Sequence, residues 1–179
     1  MKRHGCFLFA ALMIWLVILF TGCVNVPNQI ILDSVTAKKA LDVAIKQIEK
    51  PYVFGGRGPD EFDCSGLIVW SYKQVYSKLK FRDGNRVVSD VAMNTLWKYN
   101  VEQIPLSSLE PGDVIFITDN ETKITHGGLF IQWVDDKTLR MVHASAADHK
   151  QKVDYDEWPV EGRIRDQWLV GAGKLKTVY

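Results

Sequence analysis

Three cysteines are all this 179-residue chain has, too few for the disulfide framework of a small secreted scaffold. Cys6 lies inside an N-terminal apolar segment, Cys23 follows that segment directly, and Cys64 stands alone. An excess of charge of either sign is also missing: 22 Lys and Arg face 21 Asp and Glu. That balance supplies no basic stripe to displace counterions and excludes nucleic acid as a partner. Repeats and low-complexity tracts are absent, which excludes solenoids and disordered linkers. The longest apolar run, residues 6–20, is 15 residues, short of the roughly 20 that a spanning helix needs.

What is present at the N-terminus is an export signal. Lys2, Arg3 and His4 precede the apolar run, and Thr21, Gly22 and Cys23 follow it as small residues ahead of a cysteine. The spacing predicts removal of residues 1–22 and acylation of Cys23 as the new N-terminus, the arrangement of a membrane-anchored lipoprotein of the bacterial envelope. Residues 23–35 then form a short lipidated tether, and 36–179 one domain large enough for its own core. Within the exported chain Cys64 is left without a disulfide partner. An unpaired thiol outside the cytosol is either a small buried hydrophobe or a reactive group.

The apolar positions Leu41, Ala44, Ile45 and Ile48 predict a helix over residues 36–50, ended by Pro51. Residues 52–59 are too rich in glycine and proline for a regular element. A second helix is expected from Asp63, its N-cap, with Cys64 at its first turn and Leu67, Ile68, Ser71 and Val75 on the same face. Residues 80–86 read as a loop around Asp83-Gly84 and 89–99 as a shorter helix. Strands are expected at 114–117, 127–133, 139–144 and 168–175, with 145–166 a polar excursion beside them. Helices first and strands later indicate an α+β domain in which N-terminal helices pack on an antiparallel sheet of about four to six strands.

A helix N-terminus favours an anion through its unfilled N–H groups and dipole, so Cys64 is placed to act as a thiolate. His126 and His143 fall on neighbouring predicted strands that pair through the Asp135-Asp136 turn, which brings both imidazoles to one end of the sheet. His149 lies in the polar excursion. By spacing alone the two strand histidines are a base with its orienting partner, or structural histidines. They are 17 positions apart with no Cys or acid at zinc-site spacing, so no metal or other cofactor is expected.

Five blocks, Tyr52-Val53-Phe54-Gly55-Gly56, Phe62-Asp63-Cys64-Ser65-Gly66-Leu67, Pro111-Gly112-Asp113-Val114-Ile115-Phe116, His126-Gly127-Gly128-Leu129-Phe130-Ile131 and Val142-His143-Ala144-Ser145, occur in this order. Together they resemble the NlpC-type family of cell-wall cysteine peptidases across about residues 36–175. The resemblance implies a papain-like α+β fold and hydrolysis of peptidoglycan stem peptides, commonly between D-γ-glutamate and a diamino acid. It also implies Cys64 as nucleophile, His126 as base and His143 as the polar residue orienting that base through a ring-to-ring hydrogen bond. Tyr52 lies beside the nucleophile in such enzymes, either polarising the substrate carbonyl or packing as an aromatic core residue. Asp63 and Ser65 either recognise the free amine of a stem peptide or only cap the helix. Gly127 stands where the family usually has a β-branched residue, which predicts a looser strand start. An amidase or acyltransferase on the same fold, and a non-catalytic wall-binding lipoprotein, are the competing readings.

Overall fold

The computed structural model describes residues 26–147 and 151–179; Cys6, Cys23, His149 and the export signal lie outside them. Strand β1 (Gln29–Ile31) leads into helix α1 (Ser34–Ile45). Asp33 caps α1 by accepting from the Thr36 N–H at 2.7 Å, and Ala37, Ala40, Leu41 and Ala44 form its buried stripe. The helix ends before the expected Lys50. The N–H groups of Gln47, Ile48 and Lys50 close single turns while that of Glu49 donates to Val153, and Glu49 takes a left-handed φ of 75°, since the chain ahead of Pro51 is turned out of helical geometry. Helix α2 (Cys64–Val75) begins where expected and buries Leu67, Ile68, Val69, Ser71 and Tyr72.

Beyond α2 the loop expected around Gly84 is a hairpin of β2 (Phe81–Asp83) and β3 (Arg86–Val88); Gly84 supplies the positive φ its turn requires. Helix α3 (Met93–Tyr99) and β4 (Val101–Ile104) follow, then β5 (Val114–Thr118), β6 (His126–Trp133), β7 (Thr138–Ser145), β8 (Lys152–Pro159) and β9 (Trp168–Val178). The antiparallel sheet runs β1-β9-β5-β6-β7-β8, with β4 also on β9, seven strands among the described residues. This is an α+β fold.

Two strands of this sheet also come from segments with other sequence readings. The polar excursion contains β8, paired with the whole of β7 from Thr138↔Pro159 to Ser145↔Lys152. It buries only Val153 and Trp158 and leaves Tyr155 and Glu157 exposed, the charged character of an edge strand that blocks further pairing. Within the segment read as a tether, β1 pairs Gln29–Ile31 with Lys176–Val178 of β9, so the domain begins before residue 36.

Alternation along the strands divides the core in two. Val114, Phe116, Leu129 and Val142 meet Leu41, Leu67 and Leu96 on the helical face, while Ile115, Ile117, Phe130, Leu139, Met141 and Trp158 pack on the other. A bulge between Phe130 and Gln132 adds one residue to β6. Trp133 is therefore carried to the Phe130 side, 5.8 Å between ring centroids, instead of sharing a face with Leu129 and Ile131 as strict alternation predicts. Among the described residues no helix is long and apolar enough to cross a membrane.

Candidate active site

The Asp63 carboxylate organises the start of α2. Asp63 is extended (φ −95°, ψ 178°), and its Oδ1 accepts from the Gly66 N–H at 2.6 Å and from the Ser65 hydroxyl at 2.9 Å. Its Oδ2 accepts from the Gly55 N–H at 3.0 Å and from the Arg57 guanidinium at 2.5 Å. The glycine loop consequently lies directly on the helix. A Cβ on Gly66 would stand 2.0 Å from the Gly56 carbonyl oxygen, so only glycine permits this approach. Cys64 is the first residue of the helix, partly buried, with its Sγ 4.0 Å from the carbonyl oxygen of Thr125.

Thr125 immediately precedes His126, which opens β6. On the neighbouring strand His143 is buried, and its Nδ1 lies 2.7 Å from His126 Nε2 with the rings 61° apart. The expected convergence of the two imidazoles is thus present. It depends on close strand packing: a Cβ at Gly128 would meet the Val142 carbonyl at 2.6 Å and the His143 Cβ at 3.0 Å. Gly127 does not loosen the strand start as expected. A Cβ there would stand 2.3 Å from both the Ile115 carbonyl and the Met93 methyl, because Met93 of α3 fills that space. Beyond the pair, His143 Nε2 is 3.6 Å from Asp156 Oδ2, which also receives Arg165 at 2.7 Å.

A cavity of about 420 Å³ opens beside the histidines, lined by both imidazoles with Ser145, Trp158, Arg165 and Gln167. Cys64 lies on the α2 side of that ring pair and does not line it. Tyr52 packs half-buried against the same core cluster as Cys64. Burial raises its phenol, and the charges of Cys64 and Asp63 add to the rise. Asp63 and Ser65 are joined to each other, and both are engaged within the protein.

Burial sets the protonation of Cys64 and His126. It pushes the Cys64 thiol up to about 12, with the Asp63 carboxylate adding to the rise; the Ser65 and Cys64 N–H groups and the Arg57 charge pull back without prevailing. The helix terminus therefore does not by itself make a resting thiolate, because desolvation of the anion outweighs it. Burial likewise pulls His126 down to about 4, with Asp156 and Asp119 opposing and Arg165 assisting. At neutral pH the site holds a neutral thiol and a neutral imidazole.

Residues 49–171, more than half of the chain, match the model of the NlpC/P60 family. The chain belongs to the NlpC/P60 family. A probable endopeptidase p60 of Listeria grayi is 30% identical over 159 residues, 87% of this chain and 26% of that protein. A gamma-DL-glutamyl hydrolase of Bacillus subtilis is 33% identical over 89 residues, 49% of this chain and 19% of that protein. The chain thus spans 26% of the first of these relatives and 19% of the second. Among solved structures, a Staphylococcus aureus protein described as similar to a lipoprotein of the NLP/P60 family aligns with TM-score 0.56 and 26% identity over 83% of this chain and 43% of that one. NlpC2 of Trichomonas vaginalis shares the fold at TM-score 0.57 and 20% identity, over 79% of this chain and 48% of that one.

Four charged residues in this NlpC/P60 domain escaped the sequence reading: Arg57, Asp90, Asp156 and Arg165. Arg57 directly follows the Tyr52–Gly56 block, yet only the fold shows its Nε 2.6 Å from Asp90. Asp156 neighbours His143 because β8 pairs with β7.

The protonation state is open to direct measurement. The imidazole of His126, followed by NMR, is expected to titrate near pH 4, and alkylation of Cys64 by iodoacetamide should keep accelerating with pH up to at least 10. A His126 midpoint at the ordinary value near 6.5, with alkylation reaching its plateau by pH 8, would contradict burial as the controlling effect.

Proposed function

We propose that this protein is a cysteine endopeptidase that hydrolyses peptidoglycan stem peptides, at the bond between D-γ-glutamate and the diamino acid. The observation that carries this reading is the meeting of Cys64, at the N-terminus of α2, with the strand end that bears the His126–His143 pair. Family membership and its endopeptidase and gamma-DL-glutamyl hydrolase relatives support the substrate class.

With Nε2 of His126 given to His143, its Nδ1 is the nitrogen left for the thiol. The Cys64 proton passes to that nitrogen as sulfur bonds to the scissile carbonyl carbon. Because thiol and imidazole both rest neutral, transfer and attack proceed together, and no preformed ion pair is required. The tetrahedral oxyanion accepts hydrogen bonds from the Cys64 N–H and the Tyr52 hydroxyl. Collapse breaks the C–N bond, His126 returns the proton to the departing amine, and water drawn to His126 then releases the acyl group from sulfur. His143 holds the imidazole in the tautomer this sequence needs.

Cys64→Ala and His126→Ala should each abolish release of stem fragments from purified peptidoglycan, and the double variant should lose no more than either alone. His143→Gln should keep measurable turnover while His143→Ala loses on the order of tenfold to a thousandfold. Wild-type turnover by Cys64→Ala, read by mass analysis of the released peptides, would end the cysteine mechanism.

Export and anchoring belong to the same proposal. Lys2, Arg3, the apolar run and Gly22-Cys23 support acylation at Cys23 on the bacterial envelope, and the Staphylococcus aureus relative carries a lipoprotein description. Two or more acyl chains are needed for stable attachment. From Cys23 to β1 the chain reaches at most about 20 Å, so the domain would work close to the membrane surface. Cys23→Ser should leave the protein unacylated and release it on fractionation. An unmodified Cys23 in the intact mass of the native protein would refute the anchor.

A further inference from the structure

Exposed apolar side chains are not spread evenly over this domain. Eleven large ones are exposed among the described residues, and five of them, Val26, Ile30, Ile31, Val35 and Tyr179, each 43–74% exposed, belong to β1 and the segments that adjoin it. Ile30 and Ile31 stand opposite Thr177 and Lys176 of β9, and the Tyr179 N–H reaches the Asn28 carbonyl at 3.4 Å. Val35 lies in the first turn of α1. Successive strand residues point to opposite sides of a sheet, yet both isoleucines stay exposed, because among the described residues β1 has β9 as its only partner. A lone exposed aliphatic residue means little, whereas a contiguous group marks a contact surface.

The charges around this face suit lipid. Lys38 and Lys39 come three and four positions after Val35, on its side of α1, and Lys176 is beside Ile31. Of the acids on the same stretch, Asp33 is spent on the helix cap and Asp42 on Lys38. Aliphatic side chains flanked by lysines are the composition of a surface that rests at headgroup depth, where the free edge of β1 still meets water.

The face also lies at the opposite end of the domain from the cleft, by two independent paths. Cys64 opens α2, and Tyr72, about 12 Å further along the helix, donates its hydroxyl to the Gly112 carbonyl; Gly112 in turn packs on Ala37 in the opening turns of α1. In the sheet, His126 is opposite Ile117 and Ile117 opposite Leu169 of β9. From Leu169 that strand rises about 30 Å to Val178, the partner of Gln29 in β1.

We infer that the face formed by Val26, Ile30, Ile31, Val35 and Tyr179 docks on the phospholipid surface that holds the acyl chains of Cys23, so that the domain stands on the membrane with its catalytic cleft turned away from the bilayer. The inference rests on the anchoring reading above and adds which face meets the lipid. Val26 is three positions beyond Cys23, at most about 10 Å, so acylation puts this face within that distance of the headgroups. Docking then fixes the direction in which the cleft points, which a tether alone leaves free.

The test uses the acylated protein on vesicles of phosphatidylethanolamine with a minority of phosphatidylglycerol, carrying Cys64→Ala so that no other free thiol remains. Ile30→Cys and, separately, Phe54→Cys on the exposed glycine loop at the cleft end are treated with a water-soluble maleimide, and the rates are read by intact mass. The thiol at position 30 should react slower than that at position 54 by about tenfold or more, the worth of burying two aliphatic side chains. Ile31→Asn with Val35→Asn, at exposed positions where substitution leaves the fold intact, should speed the reaction at position 30 about tenfold and leave that at position 54 unchanged. Equal rates at the two positions in the acylated protein, or protection unmoved by the asparagines, overturn the inference and leave the anchor standing. Protection that disappears when the protein is diluted over more vesicle surface marks a second copy of the chain on this face and overturns it as well. An intact mass without acyl chains overturns the anchor, and the docking with it.

Discussion

The carboxylate of Asp63 is the constraint on which the site depends. It caps α2, ties the glycine loop to that helix through the Gly55 N–H, and fixes Arg57, which in turn reaches Asp90 ahead of α3. The glycine loop, the start of α2 and Asp90 are therefore oriented by one side chain adjacent to Cys64. A cap of this kind is worth about 0.5–2 kcal/mol on its own. Its larger effect is geometric, since the direction of the first turn of α2 decides where the Cys64 sulfur points. Gly66 is the necessary companion: the loop closes on the helix at a distance that excludes any Cβ.

A second consequence is electrostatic. The same acid raises the neighbouring thiol, and the same Arg57 partly compensates it. Burial dominates both, and it acts in opposite directions on thiol and imidazole because it disfavours whichever form is charged. The result is a site at rest without separated charge. The buried His143, 2.7 Å from His126 and within 3.6 Å of Asp156, extends a polar chain from His126 to the edge strand and gives the imidazole a fixed orientation.

Much of this was legible in the sequence because it rests on local signals. Asp63 ahead of an amphipathic run marked the cap and the helix start, and the two histidines on alternating strands marked the meeting of imidazoles. Signals that depend on tertiary partners were silent. β8 hides its two buried residues among charges because it lies at an edge, and β1 acquires its structure only from β9. Trp133 changed faces through a bulge that periodicity cannot show. Arg57 looked like any loop cation, since its role comes from Asp90, 33 positions away. The position of the thiol's equilibrium was not legible either, because helix polarity can be read from residue order and burial cannot.

The most direct measurement of the mechanism is the intact mass of the protein after rapid acid quench during turnover of a stem peptide. The account predicts a mass increase equal to the acyl half of the substrate, mapped by digestion to the peptide that contains Cys64 and absent in Cys64→Ala. Steady turnover with no adduct on Cys64 at any quench time, together with solvent oxygen entering the product in a single direct step, would contradict it.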